Sequence, residues 1–141
     1  MPLLRLPLFL FLFTFMTLGL GSCSEEDPEP AISYSQQLTT GSWRLDAIQI
    51  SGQATSSGTA IKDRYSLTFR PDGTYIENQF VNGSTYNGTW MLMGSNTILH
   101  FTDHKGANHE FILTKLTASE MRYHWTNKEN KQEEYVFTAQ P

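Results

Sequence analysis

The chain has 141 residues, a formal net charge of −4 and 13% aromatic residues. A single cysteine excludes a disulfide within the chain, and the acidic balance lacks the basic stripe that nucleic acid binding needs. Past the first three dozen residues roughly 110 remain, enough for one domain.

Residues 1–22 have the zones of a secretory signal. Arg5 supplies the positive start. Leu8-Phe9-Leu10-Phe11-Leu12-Phe13 opens an apolar run that reaches Leu20, interrupted by Thr14, Thr17 and Gly19. The run is shorter than the roughly 20 residues a membrane-spanning helix requires, and it ends in small residues. Leu20-Gly21-Ser22-Cys23 resembles the bacterial lipobox, in which a peptidase cuts before a cysteine that carries a diacylglycerol thioether. The resemblance implies lipidation of Cys23 and an anchor in the outer membrane of a bacterial cell envelope. At about 0.8 kcal/mol per buried methylene, several acyl chains would hold the protein there. Ser24-Glu25-Glu26-Asp27-Pro28-Glu29-Pro30 follows, kept extended by prolines and like charges. A serine and acidic residues directly after the lipidated cysteine also resemble the surface-export signal of Bacteroidetes lipoproteins. The expected organisation is a signal peptide over 1–22, a lipidated cysteine and acidic tether over 23–37, and a folded domain over 38–141. Most of the net charge sits in the tether, so the folded part is nearly neutral.

From Thr39 onward the pattern has period two, with β-branched and aromatic residues between turn clusters. A short turn of helix around Ser35 to Thr39 precedes it. The first predicted strand runs from about Trp43 to Ile50, with a phase slip near Ala47-Ile48 that predicts a bulge. Tyr65 to Phe69 is the second. Arg70-Pro71-Asp72-Gly73 suits a type I turn and leads into the third, Thr74 to Phe80. The remaining five are Tyr86 to Met93, Thr97 to Phe101, His109 to Leu116, Glu120 to Thr126 and Glu133 to Thr138. Eight short sequential strands with hairpin-length links predict an all-β, up-and-down antiparallel barrel, because closure removes both sheet edges. A two-sheet sandwich is the alternative.

The links separate into two sets. Those after Phe69, Met93 and Leu116 are tight; those after Ile50, Phe80, Phe101 and Thr126 are longer. In an up-and-down barrel the two sets lie at opposite ends, one trimmed and one loop-rich. The longest link, Ser51 to Arg64, is rich in small polar residues and is expected either to fold over the mouth as a lid or to be a tolerated surface insertion.

Gly41-Ser42-Trp43 at the start of the first strand resembles the lipocalin signature, in which the tryptophan plugs the closed end of the barrel. Leu67-Thr68-Phe69-Arg70-Pro71-Asp72-Gly73-Thr74-Tyr75, Asn87-Gly88-Thr89-Trp90 and Leu113-Thr114-Lys115-Leu116-Thr117 are similar, in order and spacing, to bacterial lipocalin-like domains of small Bacteroidetes lipoproteins. Gly41, Trp43, Gly73 and Trp90 are the signature positions. The resemblance implies a calycin-type barrel that binds a ligand; no enzymatic activity is expected. Lipocalins also place an arginine over the signature tryptophan; Arg122 or Arg44 could substitute, although Arg122 has outward phase.

A small eight-stranded barrel either fills with side chains or holds one small ligand. The candidate ligand-binding residues lie toward the loop-rich end: Tyr65, Phe80, Tyr86, Phe101, Phe111, Trp125 and Tyr135. An apolar pocket there, with tyrosine hydroxyls fixing a polar end, suits a small hydrophobic or amphipathic molecule. A filled barrel would instead serve as a protein-interaction module, such as an envelope enzyme inhibitor. No cofactor is expected. His100, Asp103, His104 and His109 flank one long link without the spacing of a zinc motif; His100, His109 and His124 are expected on the outer face. No Gly-x-Ser-x-Gly elbow occurs, and Glu77 is a lone carboxylate without an acid–base partner, so no catalytic residues are assigned. The tether joins the closed end, so the loop-rich end is expected to face away from the membrane.

Overall fold

A computed structural model describes residues 32–141. Cys23, the leader and the acidic tether lie outside the described residues. The chain begins with a single-turn helix, α1 (Tyr34–Leu38). Ser33 and Gln36 form a reciprocal capping box: Ser33 Oγ accepts from the Gln36 N–H at 3.2 Å and Gln36 Oε1 from the Ser33 N–H at 3.0 Å.

The strands are β1 (Ser42–Ile50), β2 (Gln53–Ser57), β3 (Tyr65–Phe69), β4 (Thr74–Gln79), β5 (Thr85–Met93), β6 (Ile98–Thr102), β7 (Asn108–Leu116), β8 (Glu120–Thr126) and β9 (Gln132–Gln140). All neighbours are antiparallel, in the order β2-β1-β3-β4-β5-β6-β7-β8-β9, and β1 also pairs with β9. The β1–β9 pairing closes eight strands into a barrel, and β2 is an extra strand outside the count expected from the alternation. The barrel, not the sandwich, is therefore the architecture. Among the described residues the strand pairings and the core belong to one compact unit.

β2 arises from the long link after Ile50. Ser51 (φ 50°) and Gly52 (φ 80°) are both left-handed, as a two-residue hairpin turn requires. β3 pairs with β1 only over Ser42–Arg44, and β2 takes the place beside Ala47–Ile50. The first half of the expected lid is thus wall. Its second half returns through a 3₁₀ turn (Gly58–Ala60) to Ile61, which is buried in the core.

The expected bulge in β1 falls one residue earlier. Leu45 faces Phe137 and Ala47 faces Val136, so Asp46 is the unpaired residue. The bulge turns Asp46 toward two arginines: Arg44 Nε donates to it at 2.9 Å, and Arg64 also bonds it. Burial pushes this carboxyl up, but the bonds from Arg44, Thr138 and Arg64 outweigh it and bring the pKa down to about 2.

The trimmed end is filled. Leu38, Trp43, Leu45, Leu99, Met121 and Phe137 are almost fully buried. Trp43 Nε1 donates to the Leu38 carbonyl at 2.9 Å, so the carbonyl end of α1, not an arginine, satisfies the signature indole. Arg122 is on the outer face with Glu120 and Glu134, and Arg44 is held by Asp46. Trp90 Nε1 donates to the Arg70 carbonyl at 3.1 Å, tying the β3–β4 turn to β5. Gly73 takes φ 83° in that turn, and Gly41 leads into β1 beside the Gln140 carbonyl.

Candidate functional site

The interior changes character along the barrel axis. From Phe69, edge-to-face against Trp90 at 5.2 Å, an aromatic column runs through Phe101 (5.8 Å) to Phe111 (5.6 Å) and Tyr123 (4.5 Å from Phe111). Beyond Phe101 the column no longer fills the section. A cavity of about 470 Å³ opens there, at the end carrying the longer links. A second recess, of about 400 Å³, adjoins it and shares His109 and Phe111.

Strand parity decides which side chains reach this space. In β4 the inward residues are odd-numbered, and Tyr75 and Glu77 both line the main cavity. In β5 they are even-numbered; Tyr86 lines the cavity, and Gly88 lies directly under the Tyr75 ring. A Cβ on Gly88 would stand 2.6 Å from Tyr75 Cε1 and 2.3 Å from the Thr102 carbonyl oxygen, so only glycine lets the ring lie flat there. Tyr65 and Tyr123 meet hydroxyl to hydroxyl at 3.2 Å across the barrel floor. Burial pushes Tyr75 up to about 12 and raises Tyr65 and Tyr123 as well, so all three remain protonated hydrogen-bonding groups.

The rim is built by the β6–β7 turn. Asp103 organises it: Oδ1 accepts from the Lys105 and Ala107 N–H groups at 2.9 Å each, and Oδ2 lies 3.1 Å from His109 Nε2. The Ala107 backbone bond, then the His109 contact, hold the Asp103 carboxyl down at about 2. The turn carries His104 across the mouth, stacked on Tyr86 with ring centroids 4.4 Å apart.

Of the residues expected to bind a ligand, Tyr65, Tyr86, Phe101 and Phe111 line the main cavity. Trp125 and Tyr135 line the adjoining recess, where the Tyr135 hydroxyl donates to Glu133 Oε1 at 2.8 Å. Phe80 is in neither. β4 ends at Gln79, and Phe80 is out of phase with Tyr75 and Glu77; it is half exposed, with the Arg64 guanidinium 5.8 Å from its ring centroid. His100 is on the outer face, 3.5 Å from Glu110, and His124 faces outward too. His109, expected outside, faces in: it shares the phase of Phe111 in β7 and stacks on it at 6.4 Å. In the sequence Glu77 reads only as a lone carboxylate. Its phase with Tyr75, two residues away, is the signal that places it in the cavity. Among the described residues no group of three or more His, Cys, Asp or Glu is placed to hold a metal ion.

A closed antiparallel barrel, plugged by Trp43 at one end and hollow at the other, defines a calycin-type protein. A family model for the lipocalin-like domain matches residues 39–123, and the chain belongs to that family. No curated protein matches it. The match ends within β8, and β9 completes the barrel beyond it. A lipocalin-like barrel with one hollow end points to ligand binding as its general kind of activity.

Proposed function

We propose that the protein is a lipoprotein of a bacterial envelope, anchored through Cys23, whose barrel carries a small hydrophobic or amphipathic molecule at the loop-rich end. The cavity of about 470 Å³ carries this reading. Its floor is aromatic, its rim is polar, and its dimensions fall in the range of small-molecule sites. An apolar body would lie against Phe101 and Phe111, and a polar end would meet the tyrosine hydroxyls and the Asp103–His109 rim. The interaction-module reading needs a core without a void at this end, and the cavity speaks against it.

The anchor rests on the lipobox resemblance at Leu20–Cys23 and on Cys23 being the only cysteine. Among the described residues no helix is long and apolar enough to cross a membrane. Because α1 adjoins the closed end, the cavity faces away from the anchoring membrane in this reading. No catalytic role is proposed.

Native mass spectrometry of the protein purified from its own cells tests the carrier function. A reproducible extra mass that disappears on denaturation is the expected result. A bare chain that takes up nothing from lipid and haem mixtures would contradict it.

A further inference from the structure

We propose that Glu77 makes the cavity selective for an organic cation: a protonated amine or a quaternary ammonium group carried on an aromatic or apolar body. This rests on the carrier reading above and names the ligand class of the same site.

Glu77 is a strand residue, not a rim residue. It faces Tyr86 across the β4–β5 ladder and Leu67 across the β3–β4 ladder, one inward position deeper than Gln79. Gln79 Nε2 donates to Oε1. Glu77 Oε2 has no hydrogen bond, and Glu77 no ion pair, among the described residues. Half-buried carboxylates are ordinarily paired, because removing the charge from water costs several kcal/mol unless a donor or cation compensates. Here burial raises the Glu77 pKa, and its charge contributes to raising those of Tyr65, Tyr75 and Tyr123. A carboxylate bonded by one neutral amide, and by no cation among the described residues, therefore faces a space walled by tyrosine and phenylalanine rings.

Those walls suit a cation for a second reason. Ring faces attract a positive group placed over them, by about 0.5–2 kcal/mol depending on desolvation. Tyr75 and Tyr86 flank Glu77 on its own strand and on the next, and Phe101 lies edge-to-face with Tyr75 at 5.1 Å. A carboxylate beside several aromatic faces is the arrangement that recognises ammonium groups.

The other charged groups at the cavity do not cancel this. The Asp103 carboxylate is occupied by two backbone N–H groups and His109. His104, stacked on Tyr86 at the mouth, favours the ionised form of Glu77 without bonding to it. Lys105 is the one ammonium of the lining; it is exposed on the turn and has no ion pair among the described residues. With neutral histidines, the formal charge of the lining is −1: Glu77 and Asp103 against Lys105.

The test uses three probes with one ring system and different charge: 2-(1-naphthyl)ethylamine, 1-naphthaleneethanol and 1-naphthaleneacetate. Each is titrated calorimetrically into the barrel from Ile32 to Pro141. The amine should bind at least tenfold more tightly than the alcohol, and the acetate most weakly. Glu77→Gln should reduce the amine-to-alcohol preference to within twofold. Lys105→Glu, on the exposed turn, should increase the amine preference severalfold and guards against failure of Glu77→Gln to fold. Equal affinities for the three probes, or tightest binding of the acetate, would overturn the charge assignment and leave the carrier reading standing. No binding of any probe would overturn both.

Discussion

The two ends of this barrel spend the same residue types on opposite purposes. At the closed end Trp43, Phe69 and Trp90 are buried in one core cluster with Phe137, and both indole N–H groups bond to backbone carbonyls. At the open end Tyr65, Tyr75, Tyr86 and Phe111 stand around a space they do not fill. Aromatic content alone cannot separate a core from a ligand site. What separates them is whether the next inward position is another large side chain, as at Leu99 and Met121, or Gly88 and Glu77.

Mutations at the two ends should therefore diverge. Trp43→Ala should cost about 3–5 kcal/mol, as expected for truncating a buried aromatic, with ligand affinity unchanged in whatever folded fraction remains. Tyr86→Ala, at the rim, should cost under about 1 kcal/mol yet weaken probe binding several-fold. Urea melts with parallel titrations read both; equal destabilisation would erase the distinction. Between these extremes lies Gly88→Ala. Its methyl would collide with Tyr75 and the Thr102 carbonyl, costing roughly 1–3 kcal/mol as overpacking does and driving the Tyr75 ring into the cavity.

Acid should divide the molecule in the same way. Asp46 is held at about 2 in the folded state, against an ordinary value of 3.8. Its contribution is complete above pH 3.8 and is lost as the pH falls through 2, up to about 2 kcal/mol in all. Asp46→Asn should flatten that part of the stability–pH curve. Glu77 has the opposite sign. Its folded pKa is raised by burial, so its ionised form opposes folding at neutral pH and the penalty is relieved as the pH falls. Glu77→Gln should accordingly raise the melting temperature at pH 7. A lower melting temperature would show that the carboxylate is a structural partner and not one kept for a ligand. The smallest effect on folding is expected from Cys23→Ser, which should leave the barrel's melting curve unchanged while abolishing palmitate labelling and releasing the protein from membranes.

The sequence carried the barrel because alternation survives in strands with one buried face. Tyr65-Ser66-Leu67-Thr68-Phe69 and Met121-Arg122-Tyr123-His124-Trp125 each declare their inward phase. β2 escaped notice because Gln-Ala-Thr-Ser-Ser has no apolar alternation; it pairs along an edge with nothing to bury, and its one cue is Ser51-Gly52. The site was legible to the extent that parity was followed. Tyr86, Phe101 and Phe111 share their strands' inward phase and reach the cavity. Phe80 lies near the loops but breaks phase with Tyr75 and falls outside. Glu77 and His109 keep inward phase but are polar, and polar side chains ordinarily belong to the surface. A cavity reverses that inference, since it is the one part of an interior where a polar side chain is not a misfit. The role of α1 in capping Trp43 depends on where a backbone carbonyl ends up, which side-chain patterning does not encode.

Ligand should occupy the open end and leave the closed end untouched. Chemical-shift mapping of the ¹⁵N- and ¹³C-labelled barrel with 1-naphthaleneethanol, the uncharged probe, addresses this without invoking Glu77. Shifts should concentrate at Tyr75, Tyr86, Phe101, Phe111 and the Asp103–His109 turn, with the Trp43 indole N–H unmoved. Shifts centred on Trp43 and Leu38, or scattered over outward-facing Met91, Ile112 and His124, would contradict it.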